Sequence, residues 1–219
     1  MTSVIDRPEK IQTLIDGVER YNPENVTVLE QYLDTQCQSG SYDLMANLAI
    51  LKVYQFNPTE AKEPVIINIL AKALTAVPAP DFNLCLYLLS ERSAQVDQLT
   101  TLQQLLEQSN YVKFWETYND ATYQKLTSKV VGFEDAIRQL IARVVTMSHQ
   151  SINLPVLQSY LALKDQAKFA AFCEQQQWTQ QGDLVLIPIN KDNEAKAIVV
   201  RENIKFDQLT KVIGYSNEI

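Results

Sequence analysis

The chain has 219 residues, of which 46% are hydrophobic and 21% are charged, and its net charge at pH 7 is −7. Such a composition is typical of a globular protein with a substantial core. Five scattered glycines exclude the usual phosphate-binding loops. Residues 1–150 hold 12 Lys and Arg against 18 Asp and Glu, and residues 151–219 hold 7 against 8, which disfavours autonomous nucleic-acid binding by either part.

The three cysteines, Cys37, Cys85 and Cys173, lie far apart in the sequence. They have neither the spacing of a zinc site nor the even number of a disulfide framework, so we interpret them as reduced, mostly buried thiols. The first ten residues do not resemble a signal peptide, and no apolar run approaches the roughly 20 residues of a membrane span. We therefore expect an intracellular protein with no membrane partner, located in the cytoplasm, with a nuclear pool as an open alternative.

Apolar residues at spacings of three and four predict the first helices. A helix over residues 8–20 would place Val18 on its buried side. Asn22 and Pro23 form a strong start signal for a second helix. Asp43 can cap a third, which is apolar nearly all round, and we expect that helix to be covered on several sides.

Further helices follow at short intervals. A fourth is predicted after Pro64, and Asp81 is the predicted cap of a fifth. Shorter helices are predicted over residues 95–108, 110–119 and 120–130. Eight or nine helices joined by short breaks favour antiparallel pairs stacked in a right-handed solenoid, a HEAT-like helical-repeat domain over residues 1–150.

The helix over residues 132–149 is predicted to connect this array to the rest of the chain. Its apolar face is formed by residues at spacings of four and three: Phe133, Ile137, Leu140, Val144 and Met147. Glu134 and Asp135 fall in its first turn, where carboxylates favour the positive end of the helix dipole.

Residues 151–219 differ in character, since they include strand-like alternation. Two helices, the second capped by Asp165, precede a strand at Leu184–Ile189, a polar tip at 190–194 and a returning strand at 197–200. This order predicts a winged-helix domain with a small β-hairpin sheet. Asp207 is the predicted cap of a short final helix. The fold class is thus mainly α, in two parts.

Four sequence blocks resemble the k-subunit family of eukaryotic translation initiation factor three: RYNPEN (20–25), YDLMANLAILKVYQFNP (42–58), ILAKAL (69–74) and GFEDAIRQ (132–139). The resemblance implies a curved helical-repeat domain and a winged helix, related to the PCI-type subunits of the proteasome lid and the signalosome. It also implies a non-catalytic scaffold in the initiation factor, on the small ribosomal subunit and next to the l subunit. It supplies no catalytic residues.

The sequence offers little for catalysis. His149 is the sole histidine, and no local pattern pairs it with Cys85 or Cys173 as a nucleophile. No cluster of His, Cys and carboxylate residues has metal-ligand spacing. We therefore expect no enzyme activity, no metal and no cofactor.

Two other functions are weighed against a scaffold in translation initiation. The chain could be a PCI-type subunit of the proteasome lid or signalosome, or a winged-helix nucleic-acid regulator. For the latter, the helix from Gln166 to Trp178 carries Lys168 as its one basic residue, which is a poor recognition helix. Direct nucleic-acid binding is expected to be weak or absent.

A short sheet edge and the end of the chain are the predicted partner surface, because a neighbour can extend an exposed edge by strand addition. This surface is expected to contact a sister PCI-type subunit. The predicted contact residues are Ala197, Ile198, Val199, Val200, Arg201, Phe206, Leu209 and Tyr215.

Overall fold

The computed structural model describes residues 7–196 and 206–216. These residues are mainly helical and include one small antiparallel sheet, which confirms the predicted mainly α class. The helices are α1 (Glu9–Asp16), α2 (Val26–Ser39), α3 (Leu44–Phe56), α4 (Glu63–Leu74), α5 (Asp81–Tyr87), α6 (Ala94–Glu107), α7 (Tyr111–Tyr118), α8 (Ala121–Thr127), α9 (Phe133–Ser148), α10 (Leu154–Leu161), α11 (Gln166–Gln175) and α12 (Phe206–Ser216). The strands are β1 (Ser151–Asn153), β2 (Thr179–Gln181) and β3 (Leu184–Leu186).

Three of the predicted helix starts are confirmed by side-chain caps. Asn22 accepts a hydrogen bond from the Glu24 amide, at the head of a 3₁₀ turn that leads into α2. Asp43 accepts one from the Ala46 amide, and Asp165 caps α11 in the same way.

The predicted caps at Asp81 and Asp207 are wrong. α5 already includes Asp81, because the carbonyl of Pro80 accepts the first helical hydrogen bond, from the Leu84 amide. α12 likewise includes Phe206, so Asp207 lies within the helix. In both places the acidic residue lies inside the first turn of the helix and not at the cap position before it.

The first predicted helix is also too long. α1 ends at Asp16, where Gly17 takes an extended backbone, and a separate 3₁₀ turn covers Val18–Tyr21. Val18 is 81% exposed, so its predicted place on the buried side is wrong. The extended glycine rotates the following residues away from the face of α1.

α4 is more completely buried than α3. The eight consecutive residues Ile67–Leu74 are all buried, and α4 contacts α2, α5, α6 and α8. α3 packs on α1, α2, α4 and α5, but it leaves Met45 and Phe56 49% and 62% exposed. The expectation that α3 would be covered on several sides is therefore confirmed, although one of its faces remains exposed.

A buried polar network joins α2 to α3. The side-chain oxygen of Gln36 accepts from the Asp43 amide at 2.8 Å, and its amide group donates to Asn47 Oδ1 at 3.1 Å. Arg7 donates to both carboxylate oxygens of Asp43, at 2.6 and 2.9 Å. Lys72 of α4, 2% exposed, donates to the backbone carbonyl of Gln36 at 3.2 Å. These groups satisfy one another, as buried polar atoms require.

The helix predicted over residues 132–149 is confirmed as α9, with Phe133, Ile137 and Leu140 buried. Met147 is 48% exposed, so the predicted apolar face does not extend to the last turn. That turn instead borders an open depression that Met147 lines together with Asn190.

The sheet has the order β1-β3-β2, with all neighbours antiparallel. The side chain of Val185, at its centre, is fully buried and pairs with Ile152 on one side and Gln180 on the other. Gly182, with φ of +60°, makes the turn between β2 and β3. The predicted strand at 184–189 is thus shorter than expected. It is the central strand, because β1 and β2 pair with it on either side.

Candidate protein-interaction surface

Two side chains join the helical array to α10. The indole Nε1 of Trp115 donates to the carbonyl of Tyr160 at 2.8 Å, and Arg138 Nε donates to the carbonyl of Leu161 at 3.1 Å. The Arg138 guanidinium also lies over the Trp115 ring, 5.1 Å from its centre. Carbonyls at the end of a helix have no partner within the helix, so both donors satisfy groups that would otherwise be orphaned.

The predicted polar tip performs a similar role for α9. Asn193 Nδ2 donates to the carbonyls of Thr146 and His149 at 3.1 and 3.0 Å, and Asn190 Nδ2 donates to Thr146 at 2.9 Å. Gln150 in turn donates to the Asn193 carbonyl. Residues 190–193 therefore cap the end of α9. The returning strand predicted at 197–200 lies outside the described residues.

The predicted contact residues fall in two places. Ala197, Ile198, Val199, Val200 and Arg201 lie outside the described residues. Phe206, Leu209 and Tyr215 belong to α12, where Leu209 and Tyr215 are 39% and 73% exposed. Ile213, one turn after Leu209, is 56% exposed, so α12 presents apolar side chains to solvent.

The two outer strands of the sheet differ in what they expose. Every residue of β2 is exposed, and its middle and last residues are Gln180 and Gln181. β1 has a buried middle residue, Ile152, between exposed Ser151 and Asn153. Among the described residues, each of these strands pairs with β3 alone, so each has an edge at which another strand can bind.

One exposed face of the helical array was missed by the sequence analysis. We call it the α3 face. It is formed by residues of the 3₁₀ turn Val18–Tyr21, of α3 and of the end of α5: Tyr21, Met45, Leu48, Lys52, Phe56 and Leu88. A depression of about 160 Å³ is lined by these residues other than Phe56, together with Arg20. The sequence of α3 is apolar on nearly all sides, so it did not indicate which side would lack a neighbouring helix.

All three cysteines are buried free thiols. Burial raises the pKa of Cys85 to about 12, with a smaller contribution from the nearby Asp81 carboxylate. Burial likewise raises the pKa of Cys37 and of Cys173. Since the thiolate is the nucleophile, these environments disfavour reactivity.

His149 follows the last turn of α9, with its Nδ1 2.7 Å from Ser148 Oγ. The Ser148 hydroxyl also donates to the carbonyl of Val144, the usual bond of a helical serine. Within residues 7–196 and 206–216, no three His, Cys, Asp or Glu side chains group as a metal site, and no helix is long and apolar enough to cross a bilayer.

α11, the helix that would read DNA in a winged-helix regulator, runs from Gln166 to Gln175 and carries one lysine, Lys168, and one glutamate, Glu174. Phe169 and Cys173 hold it against the core. Its charge is balanced, so it offers little of the phosphate neutralisation that nucleic-acid binding requires.

The sequence was compared with known proteins. The model of the CSN8/PSMD8/EIF3K family matches residues 60–198. The chain belongs to this family. Its relatives include proteins named eukaryotic translation initiation factor 3 subunit K from Botryotinia fuckeliana (39% identical), Neurospora crassa (42%) and Aspergillus fumigatus (36%). The matches cover 97, 97 and 94% of this chain and 95, 96 and 93% of the relatives, respectively.

These matches confirm the resemblance seen in the sequence blocks. The CSN8/PSMD8/EIF3K model spans α4 to β3, and so includes the junction of Trp115 and Arg138 with α10. α3 lies before residue 60, outside the family model. The matches with the B. fuckeliana and N. crassa proteins cover nearly all of the chain and thus extend over α3.

Proposed function

We propose that this chain is a non-catalytic scaffold subunit of eukaryotic translation initiation factor 3, acting in the cytoplasm through protein–protein contacts. The observation that carries this proposal is its near full-length similarity to proteins named subunit K of that factor. The exposed apolar residues of α12 and the open sheet edges offer surfaces for such contacts. The buried, unreactive thiols are consistent with a role that needs no chemistry.

The proposed architecture has a HEAT-like array over residues 1–150 and a winged-helix domain over 151–219. Contacts between successive helices, α2 with α3, α4 with α5 and α6 with α7, support stacked pairs. The order β1-α10-α11-β2-β3 supports a winged helix. α9 would then be the connecting helix between the two.

We further propose that the C-terminal part contacts the l subunit, and that the complex carries the chain to the small ribosomal subunit. Leu209 and Ile213 lie four residues apart on α12 and share one side of it, which suits packing against a partner helix. The residues 197–201 remain a proposed strand-addition surface.

The test is affinity purification of the tagged full chain from cells, with Leu209→Asp and Ile213→Asp combined in one variant. We expect the normal chain to recover the other subunits in stoichiometric amounts and the variant to lose the l subunit, because buried carboxylates oppose an apolar contact. Thr210→Asp with Lys211→Gln, two exposed positions on the same helix, makes the same change in net charge and is the matched control. A Val199→Pro variant tests the strand separately.

A second candidate is favoured by the family itself, whose name includes signalosome- and proteasome-type members. Sedimentation of cell extract distinguishes the two. Co-migration of the chain with small ribosomal subunits supports the initiation factor, and co-migration with proteasomes or the signalosome contradicts it. Tight, strongly salt-dependent binding to duplex DNA would support a nucleic-acid regulator instead.

A further inference from the structure

The α3 face combines exposed apolar side chains on one side of one helix. Met45, Leu48, Lys52 and Phe56 follow one another at spacings of three and four, so they share a side of α3. Tyr21, Met45 and Phe56 are 43, 49 and 62% exposed. Large apolar side chains clustered in this way and rimmed by polar groups mark interaction sites more often than isolated ones do.

Two cations line the depression of this face without a counter-charge, although Lys52 Nζ donates to the Gln55 side-chain oxygen at 2.8 Å. Arg20 stacks over the Tyr21 ring at 4.7 Å, and Lys52 Nζ lies 4.9 Å from the centre of the Phe56 ring. Neither forms a salt bridge with any residue that the structure describes, and the lining of the depression contains no carboxylate. The Nε of Arg20 is buried and lacks a hydrogen-bond acceptor among these residues. The arrangement is unusual in a chain whose net charge is −7.

We propose that the α3 face binds an acidic amphipathic helix of another protein subunit. An apolar side chain of that helix fills the depression, and its Asp or Glu residues meet Arg20 and Lys52. Helices that dock in this way place apolar anchors at spacings of three and four, which matches the side of α3 that receives them. Charge complementarity across such a contact gives specificity.

The direction of the helix follows from a second depression, of about 690 Å³, that shares Leu88 with the first. Its lining includes the apolar Ile66 and Leu89 and three charged side chains, Glu63, Glu91 and Arg92. The two glutamates outnumber the one guanidinium, so this lining is less favourable to carboxylates than the first depression, which contains no acidic residue. The acidic residues of the bound helix therefore lie at the end near Arg20 and Lys52, and its apolar residues continue past Leu88.

A protein helix is favoured over RNA at this face. The depression is lined mainly by apolar side chains, and two cations neutralise few phosphates, whereas nucleic-acid affinity depends on many such contacts. The proposal goes beyond the proposed function, whose contacts lie on α12 and the sheet.

The experiment places a photo-crosslinking amino acid at position 45 or 56 of the full chain and isolates the assembled complex before irradiation. A matched probe replaces Gln104, an exposed residue of α6 that lines neither depression. Since only chains already in the complex are irradiated, a failure to assemble counts against the proposed function, and a failure to crosslink counts against the α3 face. We expect crosslinks from positions 45 and 56 to one segment with an acidic amphipathic helical pattern.

Charge reversal then tests the role of the cations. Arg20→Glu with Lys52→Glu should lower the crosslink yield about tenfold or more, because like charges across a contact cost several-fold in affinity each. Lys113→Glu with Lys125→Glu makes the same charge change at exposed sites of α7 and α8 and should leave the yield unchanged. Crosslinks to RNA, to a second copy of this chain or to a basic segment, or no crosslink at all, would overturn the proposal.

Discussion

The indole nitrogen of Trp115 donates to the backbone carbonyl of Tyr160 at 2.8 Å and so ties α7 to the end of α10 across 45 positions of sequence. The Trp115 side chain is nearly buried, and it packs edge-on against the rings of Phe114 and Tyr118. This bond and the neighbouring bond from Arg138 to Leu161 hold the helical array against the residues that carry the sheet.

Trp115→Phe should lower the free energy of unfolding by about 1–3 kcal/mol more than Trp178→Phe does. Both changes remove the same atoms from a tryptophan that is 5% exposed. Only the first breaks a hydrogen bond, since the Trp178 Nε1 has no partner in the described residues. Urea unfolding followed by circular dichroism measures the difference. Equal losses for the two variants would show that the bond to Tyr160 contributes nothing beyond packing.

Asn193→Ala should destabilise the end of α9 by about 1–2 kcal/mol, because it removes the donor to the carbonyls of Thr146 and His149. Lys191→Ala, at an exposed position in the same loop, is the control and should have little effect. Hydrogen exchange of the amides at 144–150 measures the local change. Unchanged protection in the Asn193 variant would contradict the capping role.

Arg7→Ala should lower the free energy of unfolding by about 3–5 kcal/mol, because it leaves the buried Asp43 carboxylate without its cation. The Asp43 side chain is fully buried, and the Arg7 side chain is 11% exposed. Lys62→Ala breaks a pair with Glu30 in which the lysine side chain is 52% exposed, so it should cost no more than about 1 kcal/mol. Denaturant unfolding of both variants provides the test. Similar losses of unfolding free energy would contradict the expectation that the buried pair stabilises the fold more than the exposed pair does.

Burial lowers the pKa of Lys72 from its usual 10.5, although the nearby Cys37 has the opposite, smaller effect. Between the lowered pKa and pH 10.5 the unfolded chain binds more protons at this site than the folded chain. The contribution of Lys72 to the free energy of unfolding therefore rises with pH across this window. Below the window, the folded state bears the full cost of a buried charge.

The measurement compares Lys72 with Lys72→Met at several pH values, in a Cys37→Ala background that removes the coupled thiol. The unfolding free energy of the protein with Lys72, minus that of the Lys72→Met variant, should increase as the pH rises toward 10.5. A difference that stays constant with pH would mean that Lys72 titrates normally.

Local sequence signals found most helices because those helices are set by their own periodicity and caps. Val96, Leu99 and Leu102 recur at helical spacing, and all three are buried in α6 as predicted. The caps at Asn22, Asp43 and Asp165 follow from side chains that bond amides two or three residues ahead. Signals of this short range do not depend on the rest of the fold.

The same signals failed where a distant segment decided the outcome. Nothing local to Asn190 and Asn193 indicates that their amides cap a helix 44 or more positions earlier. The strands β1 and β2 have three residues each, too few for an alternating pattern, and they exist because β3 pairs with both.

By itself the sequence determined the family, the mainly helical class and the places where most helices begin, since motif identity, apolar spacing and caps are properties of neighbouring residues. Only the tertiary structure decided that α4 lies at the centre of the array, that β3 lies between two short strands and that one side of α3 is left uncovered. Whether an apolar surface stays exposed depends on the helices that pack around it. The spacing of residues along one helix does not show which other helices those are.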